Sequence, residues 1–373
     1  MDKVLILSNN ASGLYSFRFE LIEELINQGF DVYFSVPQSK DQLYTKKISD
    51  SGAKPIQTNM NRRGMNPLED LSLFKRYKKM IKEVDPKVVL TYSVKPNIYG
   101  SLAASKYDKP VLMNITGMGT SLYYSKLKAI IIMLYKIACS KANTVFFQNE
   151  SNREFFVSNR MVKTEKTIII SGSGVNTEKF KPMSSSNRED KIKFVFIGRL
   201  MKEKGIEEYL EAARAVLHTN TKVEFQIVGS YEEKCYEEIL RNNQWEGIKY
   251  LGFSTDIRNE IKEVDCIVNP SYHEGMSNVL LEGASMGKPL IASNIPGCKE
   301  IIDDGQNGYL FDVKSVSSLQ DKITRFIELS DEERTLMGEK SRQKVIRDFE
   351  RQKIVNQYVE AIRMLIERRA EGE

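Results

Sequence analysis

"IKFVFIGRLMKEKGIEEYLEAARAVL" (192–217) decides the fold. An apolar run of strand length ends at Gly198, and a helical pattern follows from Gly205. The chain opens the same way. "KVLILS" (3–8) is followed by the loop "NNASGLYS" (9–16), then by "FRFELIEELINQG" (17–29). Phe19, Leu21, Ile22, Leu25 and Ile26 give that segment helical spacing, and Gly29 stops it. "FDVYFSV" (30–36), closed by Pro37, is the next strand. Strand, glycine-bearing turn, helix and strand in sequence begin a parallel α/β sheet, and this chain begins one twice.

Working outward, "KVVLTYS" (87–93), "PVLMNIT" (110–116), "TVFFQN" (144–149) and "TIIISG" (167–172) read as further strands of the first sheet. "KVEFQIVG" (222–229), "IKYLGF" (248–253), "CIVNPS" (266–271), "PLIASN" (289–294) and "GYLF" (308–311) belong to the second. The polar stretch "SSSNREDK" (184–191) separates the two series. The 373 residues suit two domains of ordinary size. The expected class is α/β, with two Rossmann-like doubly wound domains, 1–180 and 181–351, facing a central cleft.

Residues 1–183 carry 27 Lys and Arg against 16 Asp and Glu, a net +11, while the remainder carries 28 against 34, a net −6. The asymmetry points to two domains with different partners, and an acidic second half without a recognition motif argues against nucleic acid. Cys139, Cys235, Cys266 and Cys298 are scattered, with no CxxC spacing and no nearby His. A zinc site or disulfide framework is not expected, and the usage suits a reducing cytoplasm. The apolar run of "MDKVLILSNN" is too short for a signal peptide. Only His218, at the end of a helix, and His273 are available to a mechanism needing imidazole.

"KLKAIIIMLYKIACSK" (126–141) has an apolar core from Ala129 to Tyr135, far below the ~20 residues that span a bilayer. Lys126, Lys128, Lys136 and Lys141 flank it. The pattern suits a helix lying on an anionic membrane surface, and equally a core helix with snorkelling lysines.

"DCIVNPSYHEGMSNVLLEGASMGKPLIAS" (265–293) reads as strand, loop, helix and strand. The loop after a parallel strand lies at the carboxyl edge of the sheet, where ligands bind. Glu274 falls in that loop beside Gly275, Ser277 is a good N-cap, and the helix start presents free N–H groups to a phosphate. Glu282 falls one turn on, where a carboxylate can accept from ribose hydroxyls. Arg199 and Lys204 follow the strand 192–197 at the matching edge, where two cations can neutralise a diphosphate leaving group. Together these groups fit a nucleotide sugar.

The blocks "GVNTEKFKP" (174–182), "GRLMKEKGIEEYLEA" (198–212), "YLGFSTDI" (250–257), "HEGMSNVLLEGASMGKPLIAS" (273–293) and "GCKEIIDDGQNGYLF" (297–311) resemble, in order, those of family 4 glycosyltransferases. The resemblance implies the GT-B fold, a donor-binding C-terminal domain, anomeric retention, no metal and no cofactor beyond a UDP-linked sugar donor. It places Glu274 on the transferred sugar, Glu282 on ribose, Arg199 and Lys204 on the diphosphate, the backbone of Asn278, Val279 and Leu280 on phosphate, and Phe253 and Ser254 at the nucleobase. It also implies that the last helix, 352–373, crosses back onto the N-terminal domain.

In the first half, "SGLYSFR" (12–18), "RRGMNP" (62–67), "TYSVKPNIYGSLAA" (91–104), "NITGMGTSL" (114–122) and "FQNESNREFF" (147–156) resemble bacterial members that extend saccharides on undecaprenyl diphosphate. Under that resemblance the first domain binds the acceptor. Gly13 shapes a loop facing the donor phosphate, and Arg18, Arg62 and Lys95 meet the acceptor's anionic group. Many members place a His after the strand corresponding to "NITGMG"; Asn114, Thr116 and Gly117 stand here instead. The implied enzyme is peripheral on the cytoplasmic face of the membrane and adds a hexose or N-acetylhexosamine to a lipid-linked saccharide. A soluble transferase with a small acceptor, or an idle nucleotide-sugar-binding subunit, is the alternative.

Overall fold

A computed structural model describes residues 1–61, 66–117, 128–184, 191–242 and 246–371, and its strands all pair in parallel. The first sheet has the order β3-β2-β1-β4-β5-β6-β7. Its strands are β1 (Lys3–Leu7), β2 (Asp31–Val36), β3 (Lys54–Gln57), β4 (Val88–Tyr92), β5 (Val111–Ile115), β6 (Thr144–Phe147) and β7 (Thr167–Ile169). The second has the order β10-β9-β8-β11-β12-β13. It contains β8 (Ile192–Ile197), β9 (Val223–Val228), β10 (Ile248–Gly252), β11 (Cys266–Asn269), β12 (Leu290–Ser293) and β13 (Gly308–Phe311). Both orders reverse beside the first strand of the unit, which creates the switch point where doubly wound proteins bind ligands.

The central strands are apolar on both faces because helices cover both. Val4, Leu5, Ile6 and Leu7 of β1 are fully buried, and all six residues of β9 are buried. β3 lacks that signature. It is short, half-exposed and contains Pro55, which an edge strand tolerates because one side of its backbone needs no partner.

The chain divides into two units, Met1–Ser173 with Arg351–Glu373, and Gly174–Glu350. Residues 174–180 therefore fold with the second unit, not the first as expected, because Val175 and Phe180 lie in its core. The helix Arg351–Ala370 lies in the first unit and buries Ile354, Tyr358, Ile362 and Leu365, with Val355, Val359 and Ala361 beside them. Arg351 fastens its start, 2.9 Å from the Glu20 carboxylate and donating to the Ser16 carbonyl at 3.0 Å.

The first helix corrects the expected loop 9–16. It spans Ala11–Asn27, with the Asn10 side chain accepting from the Ser12 N–H as N-cap. Gly13 thus lies in its first turn rather than in a loop, and a Cβ there would meet no atom within 4 Å.

Candidate active site

The second unit brings its predicted groups together through two glycines. Gly205 has φ +71°, and a Cβ on it would lie 2.1 Å from the Pro270 carbonyl oxygen. Only glycine lets the 202–204 turn come so close to the end of β11. The Tyr272 N–H donates to the Glu203 carbonyl at 2.9 Å, tying the two loops. Lys204 Nζ then reaches Glu274 Oε1 at 2.5 Å, with the two side chains 25% and 15% exposed. On the other side, a Cβ on Gly297 (φ +89°) would press on Gly275 and Glu274. The Gly297 carbonyl accepts from the Ser277 N–H at 2.9 Å, and its own N–H donates to Glu300 at 2.7 Å.

The helix Asn278–Ser285 starts where expected. Its N-cap Ser277 accepts from the Leu280 N–H and also from the Asn269 side-chain amide at 2.5 Å. Asn269 ends β11 and holds the helix start against the strand. Asn278 and Val279 form the first turn with Leu280, and Asn278 Oδ1 is buried without a hydrogen-bond partner. Glu282 is half-buried on the following turn. Burial holds the His273 imidazole below its ordinary pKa, and the nearby Lys204 adds to that against the pull of Glu274. His273 is therefore neutral beside the pair.

Arg199 is half-exposed after β8, 3.5 Å from Glu232. Phe253, after β10, is 68% exposed, an aromatic face open to stacking. Ser254 donates to Glu260 at 3.1 Å and accepts from the Asp256 N–H, so it shapes this turn.

In the first unit, two cations expected to meet the acceptor are engaged within the unit. Arg18 is 5% exposed and lies over Tyr92 and Tyr358, at 4.9 and 5.4 Å from the ring centroids. This corrects its expected acceptor role: its guanidinium locks the last helix to β4. Asn114, where the family pattern has a nearby His, joins the same assembly. It donates to the Thr91 carbonyl and accepts from the Tyr358 hydroxyl. Lys95 pairs with Asp70 at 2.8 Å. Arg62 and Lys126 lie outside the described residues, whereas Lys128 and Lys136 are exposed.

Asn269, Gly205 and Gly297 were not anticipated as site residues. The glycines' signal was present in the motifs "KEKG" and "PGCKE", but their role appears only when loops from different strands meet. Among the described residues no three His, Cys, Asp or Glu side chains cluster as a metal site.

Two switch-point sheets, the second with charged and helix-start groups at its carboxyl edge, give the chain the two Rossmann-like units of the GT-B fold. Solved structures share that fold. A glycosyltransferase from Rickettsia africae superimposes with TM-score 0.78 and 19% identity, covering 98% of each chain. Sucrose-phosphate synthase from Thermosynechococcus elongatus gives 0.82 and 17%, covering 98% of this chain and 99% of that one. Residues 177–344 match the glycosyl transferases group 1 family, and residues 3–149 the glycosyl transferase 4-like family. Together the two matches span most of the chain, which is a glycosyltransferase with group 1 and 4-like domains.

Two curated relatives align along nearly the whole chain. One is the N,N'-diacetylbacillosaminyl-diphospho-undecaprenol α-1,3-N-acetylgalactosaminyltransferase of Campylobacter jejuni, 29% identical over 87% of this chain and 89% of its own. The other is the UDP-Gal:α-D-GlcNAc-diphosphoundecaprenol α-1,3-galactosyltransferase of Escherichia coli, 27% identical over 91% and 90%.

Proposed function

We propose that this enzyme transfers a hexose or N-acetylhexosamine, with retention, from a UDP-sugar to an undecaprenyl-diphosphate-linked saccharide. The observation that carries the chemistry is the Lys204–Glu274 pair beside the helix Asn278–Ser285. The acceptor class follows from the two relatives aligned over most of the chain. As the acceptor hydroxyl bonds to the anomeric carbon, the bond from that carbon to the UDP oxygen breaks. The departing diphosphate oxygen takes the acceptor's proton. Charge develops on the diphosphate, where Lys204 and Arg199 supply positive charge and the helix start supplies N–H groups. These cations do the neutralising, so turnover is expected to survive a chelator. Glu274 holds Lys204 in place and accepts from the transferred sugar, and the unpartnered Asn278 Oδ1 gains a donor when the nucleotide sugar binds. Glu282 holds the ribose, and Phe253 stacks on the base.

The enzyme works at a cytoplasmic membrane surface. No helix of the described residues is long and apolar enough to cross a bilayer. The helix Lys128–Lys141 instead buries Ile131, Tyr135 and Ala138 while exposing Ile130, Met133 and Ile137 among Lys128, Lys136 and Lys141. An exposed apolar stripe edged by lysines favours the membrane reading of this segment over the core one.

The deciding experiment screens UDP-, GDP- and ADP-sugars for nucleotide release, with and without short undecaprenyl-diphosphate-linked saccharides. Release that needs the lipid-linked acceptor supports the reading. Release onto free sugars alone refutes it. Vesicles with anionic lipid should sediment the protein in low salt, and Ile130→Ser with Met133→Ser and Ile137→Ser should abolish this.

A further inference from the structure

Tyr272 stands two residues before Glu274, in the loop after β11, and three segments of the second unit converge on it. Its N–H donates to the Glu203 carbonyl at 2.9 Å. Its hydroxyl donates to Glu208 Oε1 at 2.6 Å. The Lys314 ammonium lies over its ring, 4.7 Å from the centroid. Lys314 follows β13 and has φ +62°, a left-handed backbone that is costly for a residue with a Cβ.

Glu208 occupies a core position. The helix Ile206–Thr219 buries Ile206, Tyr209 and Leu210 beside it, and Glu208 itself is only 9% exposed. Its second oxygen is buried with no hydrogen-bond partner among the described residues. A carboxylate in the first turn complements the helix dipole, but half-buried Glu207 already does so in the same turn. Leucine at 208 would bury apolar area and leave no orphaned oxygen. Stability therefore does not explain a carboxylate here, whereas the bond to Tyr272 does. Burial, and then that bond, raise the Tyr272 phenol above its ordinary pKa, so it stays protonated and donates.

Apolar contact is non-directional and would let the loop slide. A hydroxyl–carboxylate bond instead fixes where residue 272 sits, and with it the residue two positions on. Misplacing a reacting group by on the order of 1 Å can cost about 10²-fold in rate. We propose that Glu208 and Tyr272 are positioning residues, which hold the Glu274 loop and so keep Glu274 against Lys204. The catalytic meaning of that placement rests on the function proposed above.

Three variants test this. Tyr272→Phe leaves the Glu208 carboxylate buried without a donor and should lower Tm. Glu208→Leu with Tyr272→Phe removes both polar groups and should restore Tm. In that double variant kcat should still fall about tenfold or more, while the Kd for UDP, which lacks the transferred sugar, stays within twofold. Glu208→Gln keeps an oxygen for the Tyr272 hydroxyl and should keep kcat within threefold. A double variant with wild-type Tm and kcat, or one whose UDP affinity falls in step with kcat, overturns the inference. So does a Gln variant as slow as the double. If no donor and acceptor pair turns over, the proposed function fails, and amide exchange then judges the placement. The residue 272 N–H should exchange about tenfold faster in the double variant than in the wild type, with the Phe225 N–H of β9 unchanged. Equal rates at residue 272 overturn the inference.

Discussion

Each unit carries a part-buried lysine–carboxylate pair at the carboxyl edge of its sheet, and these two pairs differ in setting. Lys204 and Glu274 join two loops beside a helix start, with half-exposed Arg199 and neutral His273 in the same region. Lys95 and Asp70 sit in a cavity wall, more deeply buried and braced by Tyr99. The first setting gathers positive charge and helix-start N–H groups, as the proposed departure of a diphosphate requires. The second cancels its charge. Under the proposed function, two sheets that share the order of their first six strands take different tasks, because the task depends on what surrounds the pair and not on the pair.

The sharpest way to break this contrast is through turnover. Lys204→Ala should lower kcat by about 10²–10³-fold, the scale of losing one group that stabilises transition-state charge. Arg199→Ala should cost less, since that side chain is 51% exposed and its charge is screened by solvent. Steady-state kinetics at saturating acceptor would show it, and an unchanged kcat for Lys204→Ala would dissolve the distinction between the pairs.

Two glycines give the next test. Gly205→Ala forces a Cβ against Pro270 in a left-handed backbone, and should cost roughly 1–3 kcal/mol of stability together with most activity. Gly13→Ala places its methyl in open space within a helix, so thermal melting should show stability unchanged or raised by up to about 1 kcal/mol. A rise in donor KM alongside that gain would show that Gly13 is kept for a ligand.

Glu282→Ala should weaken UDP-sugar binding about tenfold, close to 1.4 kcal/mol, with kcat little changed by calorimetry and kinetics together. The smallest effect concerns pH. His273 has a lowered pKa when folded, so below about pH 6.5 the unfolded chain binds a proton that the folded chain refuses. Stability should fall on acidification through that range, and His273→Gln should flatten this part of the profile.

Much of the fold was legible because local pattern encodes burial. Apolar runs of strand length marked all strands but β3, whose Pro55 and half-exposed residues resemble a loop. Ser277 was readable as an N-cap because capping needs only neighbouring residues. The early start of the first helix was not, since "ASGLYS" has little apolar periodicity and its Ala11 N–H is met by the distant Gln38.

By itself the sequence determined the order of elements, the parallel character of both sheets and the loops that would hold charged groups. Tertiary structure alone decided which charges meet. It buried Arg18 between Tyr92 and Tyr358, cancelled Lys95 with Asp70, and brought Lys204 to Glu274 across 70 residues. Periodicity reports whether a residue faces a core. The distance between charges far apart in the chain depends on how close the backbones pass, and here Gly205 sets that distance.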